Sequence, residues 1–428
     1  MPGHKGASFL GFEHLDITEI SGADSLYEAS GIIAESERNA SELFGCETYY
    51  STEGSSQCIK AMVYLALLAA KKEGKRPLIA AGRNAHKAFH SALALLDVDV
   101  EWLYPQKMDN YLSCDISAED VRAFLLECER KPTAVYLTSP DYLGKVTDIC
   151  EIAEVCHSNG VLLLIDNAHG AYLRFLPKSM HPMDLGADLC CDSAHKTLPV
   201  LTGGAYLHLA SSFDRDIASS VRDAMCLFGS TSPSYLILQS LDAANVYLED
   251  HRARLAPFIE AIGGIKNELA AHGYALYRSE PLKITLQTKA YGYVGSSFAD
   301  ILKNKGIVCE FCDPDFVVLM LTPELGYGSL ERLKDALLSI ERKAPIDGKI
   351  PRFVKAERVC SIREAITSQS ETVPAKSSFG RVAALTHCSC PPAVPVVVSG
   401  ERIDESALEC FEYYGTEEIK VIKEIKRD

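Results

Sequence analysis

The stretch "DSAHKTLPVLTGG" (192–204), which follows the run "ADLCC" (187–191), decides how the chain is read. A histidine and a lysine stand side by side where an apolar strand ends. An exposed loop would explain a lone lysine. This one has a strand-like run before it and the apolar "TLPVL" (197–201) after it. Such flanks desolvate an amine, and a neighbouring cation also disfavours its charge. An amine kept near neutrality is what carbonyl chemistry requires. Lys196 is therefore read as the amine that holds a carbonyl cofactor.

Working outward, short apolar runs alternate with helical patterns from about 45 to 210. "RPLIAAGR" (76–83), "DVEWLYP" (99–105), "TAVYLTSP" (133–140) and "VLLLID" (161–166) read as strands. Between them, "ISAEDVRAFLLECER" (116–130) opens with Ser117 as a cap and Glu119-Asp120 in the first turn, and "VTDICEIAEVCHSNG" (146–160) is helical. Strands that are apolar throughout and separated by helices predict an α/β fold with a mostly parallel sheet covered on both faces. Such sheets bind ligands beyond the carboxyl ends of their strands. Four polar groups lie there: Arg83-Asn84-Ala85-His86, Thr138-Ser139-Pro140, Asp166-Asn167-Ala168-His169 and Ser193-Ala194-His195-Lys196. Long helices are expected over 234–275. Further strands are expected at 282–288, 316–322 and near 381–388 and 392–400, with "APIDGKIP" (344–351) as a linker. The expected division is 1–250 for an N-terminal arm and large domain, 251–345 for a smaller α+β domain and 346–428 for a C-terminal α+β segment.

Composition narrows the function. The net charge of −15 argues against nucleic acid, which needs clustered Lys and Arg, and is compatible with a cationic substrate. No apolar run is as long as a membrane span, and "MPGHKGASFLGF" lacks the core of a signal peptide, so a cytoplasmic protein is expected. The 15 cysteines are then free thiols. Cys309-x-x-Cys312 and Cys388-x-Cys390 have metal-like spacing but are read as core thiols, and no metal is expected.

The strand-end residues suggest one cofactor. A carboxylate at the end of a buried strand is costly unless paired. Asp166 would find its partner in a protonated pyridine nitrogen, the feature that makes pyridoxal phosphate an electron sink. Gly54-Ser55-Ser56, before a helix, resemble an anion site. His86 could stack on an aromatic ring, and Ser193 and His195 could hold phosphate. As a plain cap, turn or surface residue each is unremarkable; together with Lys196 they form a set.

The motifs resemble the bacterial Orn/Lys/Arg decarboxylases, pyridoxal-phosphate enzymes of fold type I. "MPGHKG" is similar to their N-terminal PGHK signature, and "LDITEISGADSLYEASGIIAESE" (15–37) to a D-x-T-E-x-x-G-x-D-x-L segment. "RNAHKAFHSAL", "DNAHGAY", "DSAHKTLPVLTGGAYLH", "STSPSY" (230–235) and "CPPAVPVVVSGERI" (390–403) resemble further motifs of that family in the same order. The resemblance implies an aspartate aminotransferase-like large domain in a homodimer. Lys196 would carry the cofactor, Asp166 would pair with its ring nitrogen, His86 would stack on the ring and Ala168 would pack beneath it. Ser55, Ser56, Ser193 and His195 would hold the phosphate, with Thr231 or Ser232 lent by a second subunit. The implied reaction is decarboxylation of arginine, lysine or ornithine to a polyamine-type amine. A transaminase, an aldolase or a cofactor-binding protein without turnover would share the fold. The chain departs from the family pattern at Asn167 (usually Glu), at Gln57 (usually Gly after Ser) and at Ala393 (usually Gly). It resembles a compact form without the N-terminal wing domain of the large inducible enzymes. Glu310, Asp313 and Asp315 are candidates for reading the substrate's cationic head group.

Overall fold

The structure is a computed structural model that describes residues 2–105, 108, 110–351, 353–385 and 392–423. The chain divides into two compact units. One comprises Met1–Ala81, Val121–Ser139 and Asp148–Ala256, the other Gly82–Asp120, Pro140–Thr147 and Pro257–Asp428. In chain order the first elements are α1 (Ile32–Phe44), β1 (Glu47–Ser51), α2 (Ser55–Lys72), β2 (Leu78–Gly82), α3 (Lys87–Leu96) and β3 (Asp99–Leu103). Then come α4 (Ala118–Glu127), β4 (Ala134–Thr138), α5 (Ile149–Ser158), β5 (Leu162–Asp166), β6 (Leu189–Asp192), α6 (Ala194–Thr197) and β7 (Ala205–Leu209).

The first unit holds six strands of a seven-stranded sheet, in the order β1-β7-β6-β5-β4-β2. Strands β2, β4, β5 and β6 run parallel, as their unbroken apolar runs require. β7 joins β6 antiparallel, and β1 pairs antiparallel with β7, so β1 again runs with the parallel set. Register aligns the functional ends: Thr138 lies opposite Asp166, and Asp166 opposite Cys191. Helix α2 buries most of the "AMVYLALLAA" run and ends on Lys71 and Lys72, which suit the negative end of a helix dipole. Helix α4 begins as expected, with Ser117 Oγ accepting from the Asp120 N–H and Asp120 Oδ2 from the Ser117 N–H. Asp24, at φ 64°, accepts from the N–H groups of Ser25, Ser30, Gly31, Ile33 and Ala34 and so builds the entry to α1. No described helix is long and apolar enough to cross a membrane.

The second unit contains a four-stranded antiparallel sheet, in the order β10-β11-β9-β8, made of β8 (Leu276–Tyr277), β9 (Lys283–Gln287), β10 (Phe311–Cys312) and β11 (Phe316–Met320). It also contains a two-stranded ribbon of β12 (Ser370–Pro374) and β13 (Glu418–Ile422). The strands expected near 381–388 and 392–400 are not formed by the described residues. Pro392 and Pro395 have no N–H for a ladder, and only isolated bridges occur, such as Val382 with Arg402 and Ala383 with Val421. Cys388 and Cys390 lie outside the described residues.

Arg83 clamps the proline-rich segment instead. It is 1% exposed, donates to the carbonyls of Pro395 and Val396, and pairs with Glu401 at 3.2 Å. The Lys87 N–H donates to the Ala393 carbonyl. The arginine of "RNAHK" and the glutamate of "VSGERI" are thus one buried ion pair. Ala393 occupies the left-handed region at φ 56°, which suits the glycine of the family pattern. Relieving that strain is worth roughly 1–2 kcal/mol, against about 0.4–1 kcal/mol for the freer unfolded glycine. Ala393→Gly is therefore expected to raise stability by about 0.5 kcal/mol in chemical denaturation; a loss of stability would contradict the reading.

Candidate active site

The site is built from the carboxyl ends of β5 and β6 and the start of α2, all in the first unit. Asp166 is the last residue of β5 and is 2% exposed. Its Oδ2 accepts from the Tyr136 hydroxyl and its Oδ1 from the Ala168 N–H, each at 3.1 Å. Burial pushes its pKa up, and the charge of Lys196 offsets only part of that. The carboxylate is thus held at a cost that a cationic ligand would relieve.

Lys196 stands on the single turn α6, with Nζ 2.9 Å from His169 Nε2. When Lys196 is an ammonium it donates this bond, and the His169 ring proton then lies on Nδ1. The sequence reading gave His169 no named role. Its signal was its place three residues after Asp166, in a turn closed by the Gly170 N–H on the Asn167 carbonyl. Burial lowers the pKa of His195, and the charge of Lys196 adds to the effect. His195 therefore stands beside the lysine as a neutral ring at neutral pH.

Ser55 and Ser56 open α2, preceded by Gly54 at φ 71°. The Ser193 hydroxyl donates to Ser55 Oγ at 2.7 Å. The glycines of "LTGG" tie this helix start to the lysine segment. The Gly203 carbonyl accepts from the Gly54 N–H at 2.7 Å, and the Gly204 carbonyl accepts from the His195 N–H at 3.2 Å. Gly203 has φ 99°, and a Cβ there would come within 2.9 Å of the Thr52 carbonyl oxygen. Gln57, the departure beside the serines, does not face the cup. It is 1% exposed, accepts from Ser51 Oγ at 2.6 Å, and donates to the Met225 carbonyl and the Tyr27 hydroxyl. Thr231 and Ser232 are exposed. His86 belongs to the second unit, where it caps α3 by accepting from the Ala88 N–H. Arg83 and Asn84, read with it as strand-end groups, are engaged structurally, Asn84 donating to the Leu112 carbonyl.

Behind Lys196 lies a second buried acid, Asp192. His181, Cys190 and Asp192 bring ligand-type atoms within 4.8 Å of one another. The hydrogen bonds assign the cluster differently. His181 Nδ1 accepts from the Met183 N–H, which leaves the ring proton on Nε2, aimed at Asp192 at 3.0 Å. His208 Nε2 lies 3.1 Å from the same carboxylate oxygen, while its Nδ1 faces the Thr48 hydroxyl. Burial raises the pKa of Asp192, but the two histidines more than offset it and hold the carboxyl below the usual range.

These residues fit pyridoxal phosphate. A buried carboxylate lacks a full countercharge, an amine stands on the neighbouring strand end, and hydroxyls crowd a helix start where phosphate binds well. Thr52 Oγ1 and Thr138 Oγ1 are also buried without a hydrogen-bond partner among the described residues. Together with the sheet, they define a pyridoxal-phosphate enzyme of fold type I.

Comparison with known proteins narrows the class to a family. The pattern of the Orn/Lys/Arg decarboxylase major domain matches residues 7–278, and that of the C-terminal domain matches 353–420. The chain belongs to this family and is a pyridoxal-phosphate-dependent decarboxylase of basic amino acids. It is 29% identical to an arginine decarboxylase of Halalkalibacterium halodurans, over 95% of this chain and 88% of that protein. It is 28% identical to the arginine decarboxylase of Bacillus subtilis, with the same coverage. Among solved structures, the lysine decarboxylase LdcF of Francisella novicida superposes with a TM-score of 0.81 at 17% identity, covering 99% of this chain and 78% of that one.

The raised pKa of Asp166 has a consequence for stability. A carboxyl whose folded pKa lies above its ordinary value of 3.8 makes the cofactor-free protein lose stability as pH rises from that value through the folded pKa. At neutral pH, Asp166→Asn is expected to stabilise the cofactor-free chain by about 1 kcal/mol while weakening pyridoxal phosphate binding about 100-fold. Thermal melts with and without cofactor check both; a variant less stable without cofactor and unchanged in binding would contradict the assignment.

Proposed function

We propose that the chain removes the α-carboxylate of arginine to give agmatine, with lysine and ornithine as poorer substrates. The observation that carries the reading is the juxtaposition of buried Asp166, His169 and Lys196 in a chain whose relatives include the arginine decarboxylases named above. When bound, pyridoxal phosphate supplies the electron sink for the departing carboxylate's electrons. Asp166 would pair with the pyridine nitrogen and keep it protonated. Ser55, Ser56, Ser193 and His195 would hold the phosphate, His86 would stack on the ring and Ala168 would pack beneath it. Lys196 Nζ returns the proton to the substrate's α-carbon, and His169 orients that amine.

For the cationic head group we infer Glu310. Of the three acids considered, Asp315 is already paired with Lys289 at 2.9 Å. Asp313, its pKa pushed up to about 6 by burial, accepts from the Asp315 and Phe316 N–H groups. Glu310 is half-buried and its carboxylate accepts from the neutral Tyr142 hydroxyl; with Asp313 it lines a cavity of about 350 Å³ in the second unit.

We further propose a homodimer in the cytoplasm, serving polyamine synthesis. Phe9 (80% exposed) and Leu10 (74%) offer an apolar arm that a second subunit would cover. Thr231 and Ser232 would reach the phosphate of that second subunit. Every described cysteine is a free thiol, as a reducing compartment favours.

The test incubates the protein and pyridoxal phosphate with arginine, lysine and ornithine separately and identifies the amine by mass spectrometry. Agmatine is expected as the main product, absent with Lys196→Ala, and Glu310→Gln is expected to raise the KM for arginine about tenfold, the loss of a charge-assisted contact. Predominant cadaverine or putrescine would overturn the substrate; no amine from any of the three would overturn the function.

A further inference from the structure

Asn167 follows the aspartate of the site, and Asp192 ends the strand that leads into Lys196. Asn167 Nδ2 donates to Asp192 Oδ1 at 2.6 Å, and both side chains are fully buried. The contact is directional. Asp192, ionised, can only accept, so the amide must present its nitrogen. Asn167 Oδ1 has no partner among the described residues and lies where a Cβ on Gly170 would come within 2.0 Å of it. The amide therefore has one productive orientation. The Asn167 N–H also donates to the Cys191 carbonyl at 3.0 Å, so backbone and side chain fasten the end of β5 to the end of β6. His181 and His208 occupy the other oxygen of Asp192 and fix the carboxylate from behind.

We propose that Asn167 and Asp192 act as a donor–acceptor pair that positions Asp166 and Lys196 for pyridoxal phosphate, and that this pair is why the chain carries an amide where the family motif carries glutamate. A glutamate at 167 would set a second anion against a buried carboxylate already committed to two histidines. Both are positioning residues, and the inference rests on the cofactor site proposed above.

The experiment measures pyridoxal phosphate affinity and the absorbance band of the lysine-bound cofactor in the intact protein, alongside the melting temperature of each cofactor-free variant. Asn167→Asp opposes two acceptors, and Asp192→Asn opposes two donors. Each is expected to weaken binding at least tenfold and to shift the band. The exchanged pair Asn167→Asp/Asp192→Asn restores one donor and one acceptor and should return affinity to within about threefold, the size of a residual 0.6 kcal/mol. Asn167→Ala, which adds no charge, covers the case in which a charged variant fails to fold, and should weaken binding several-fold and shift the band, with melting lowered only by the loss of one buried hydrogen bond. Unchanged affinity and band in Asn167→Ala, or an exchanged pair that folds yet binds no better than either single variant, would overturn the pairing. A wild-type protein that takes up no pyridoxal phosphate would overturn the cofactor site itself; wild-type binding with unaffected variants would overturn only the pairing.

Discussion

A carboxylate at the end of a buried parallel strand must be answered by hydrogen bonds or by charge. Two neighbouring strands of this sheet, β5 and β6, end that way. Asp192 is answered within the protein by Asn167, His181 and His208, and its proton affinity falls. Asp166 receives a hydroxyl, one backbone N–H and the Cys191 thiol, and its proton affinity rises. The same residue type on adjacent strands thus takes opposite roles. One is a closed structural acceptor; the other, in the proposed site, would be neutralised by the cofactor. Preorganisation of this kind spends folding stability to hold a site ready.

The motifs that look separate along the chain are bound to one another in space. Gly203 and Gly204 tie the start of α2 to the lysine turn through two backbone hydrogen bonds, which a side chain at 203 would obstruct. Arg83 ties the segment after β2 to the proline-rich stretch through two carbonyls and Glu401. Breaking a buried pair of that kind typically costs about 3–5 kcal/mol, so the arginine of "RNAHK" serves the fold before it serves any ligand. Asp24 likewise gives "SGAD" a structural purpose, gathering five backbone N–H groups ahead of α1.

The parallel sheet was legible because its strands are apolar from end to end, and the proposed site was sought where sheet geometry sends function, at the strand ends. Lys196, Asp166 and Ser193 were proposed on that basis, and Ser55 from the helix start that follows Gly54. His181 and His208 could not be. They lie 11 and 16 residues from Asp192 with no spacing signal, and only the fold points both rings at one carboxylate. The direction of Gln57 was equally hidden, since a residue at a helix start faces the ligand or the core according to tertiary packing. The segment 392–400 misled because β-branched valines suggest a strand, whereas its prolines forbid the ladder. Substrate choice was least legible, because it depends on side chains of modest character such as Glu310, whose partners no sequence pattern reports.

The most direct measurement of the central claim is chemical trapping of the cofactor. The protein is loaded with pyridoxal phosphate, reduced with borohydride, digested and mapped by mass spectrometry. The account predicts one modified peptide, carrying the reduced cofactor on Lys196, and a sharply reduced yield when Asp166 is replaced by alanine. Modification at another lysine, or none at all in a folded and loaded protein, would contradict it.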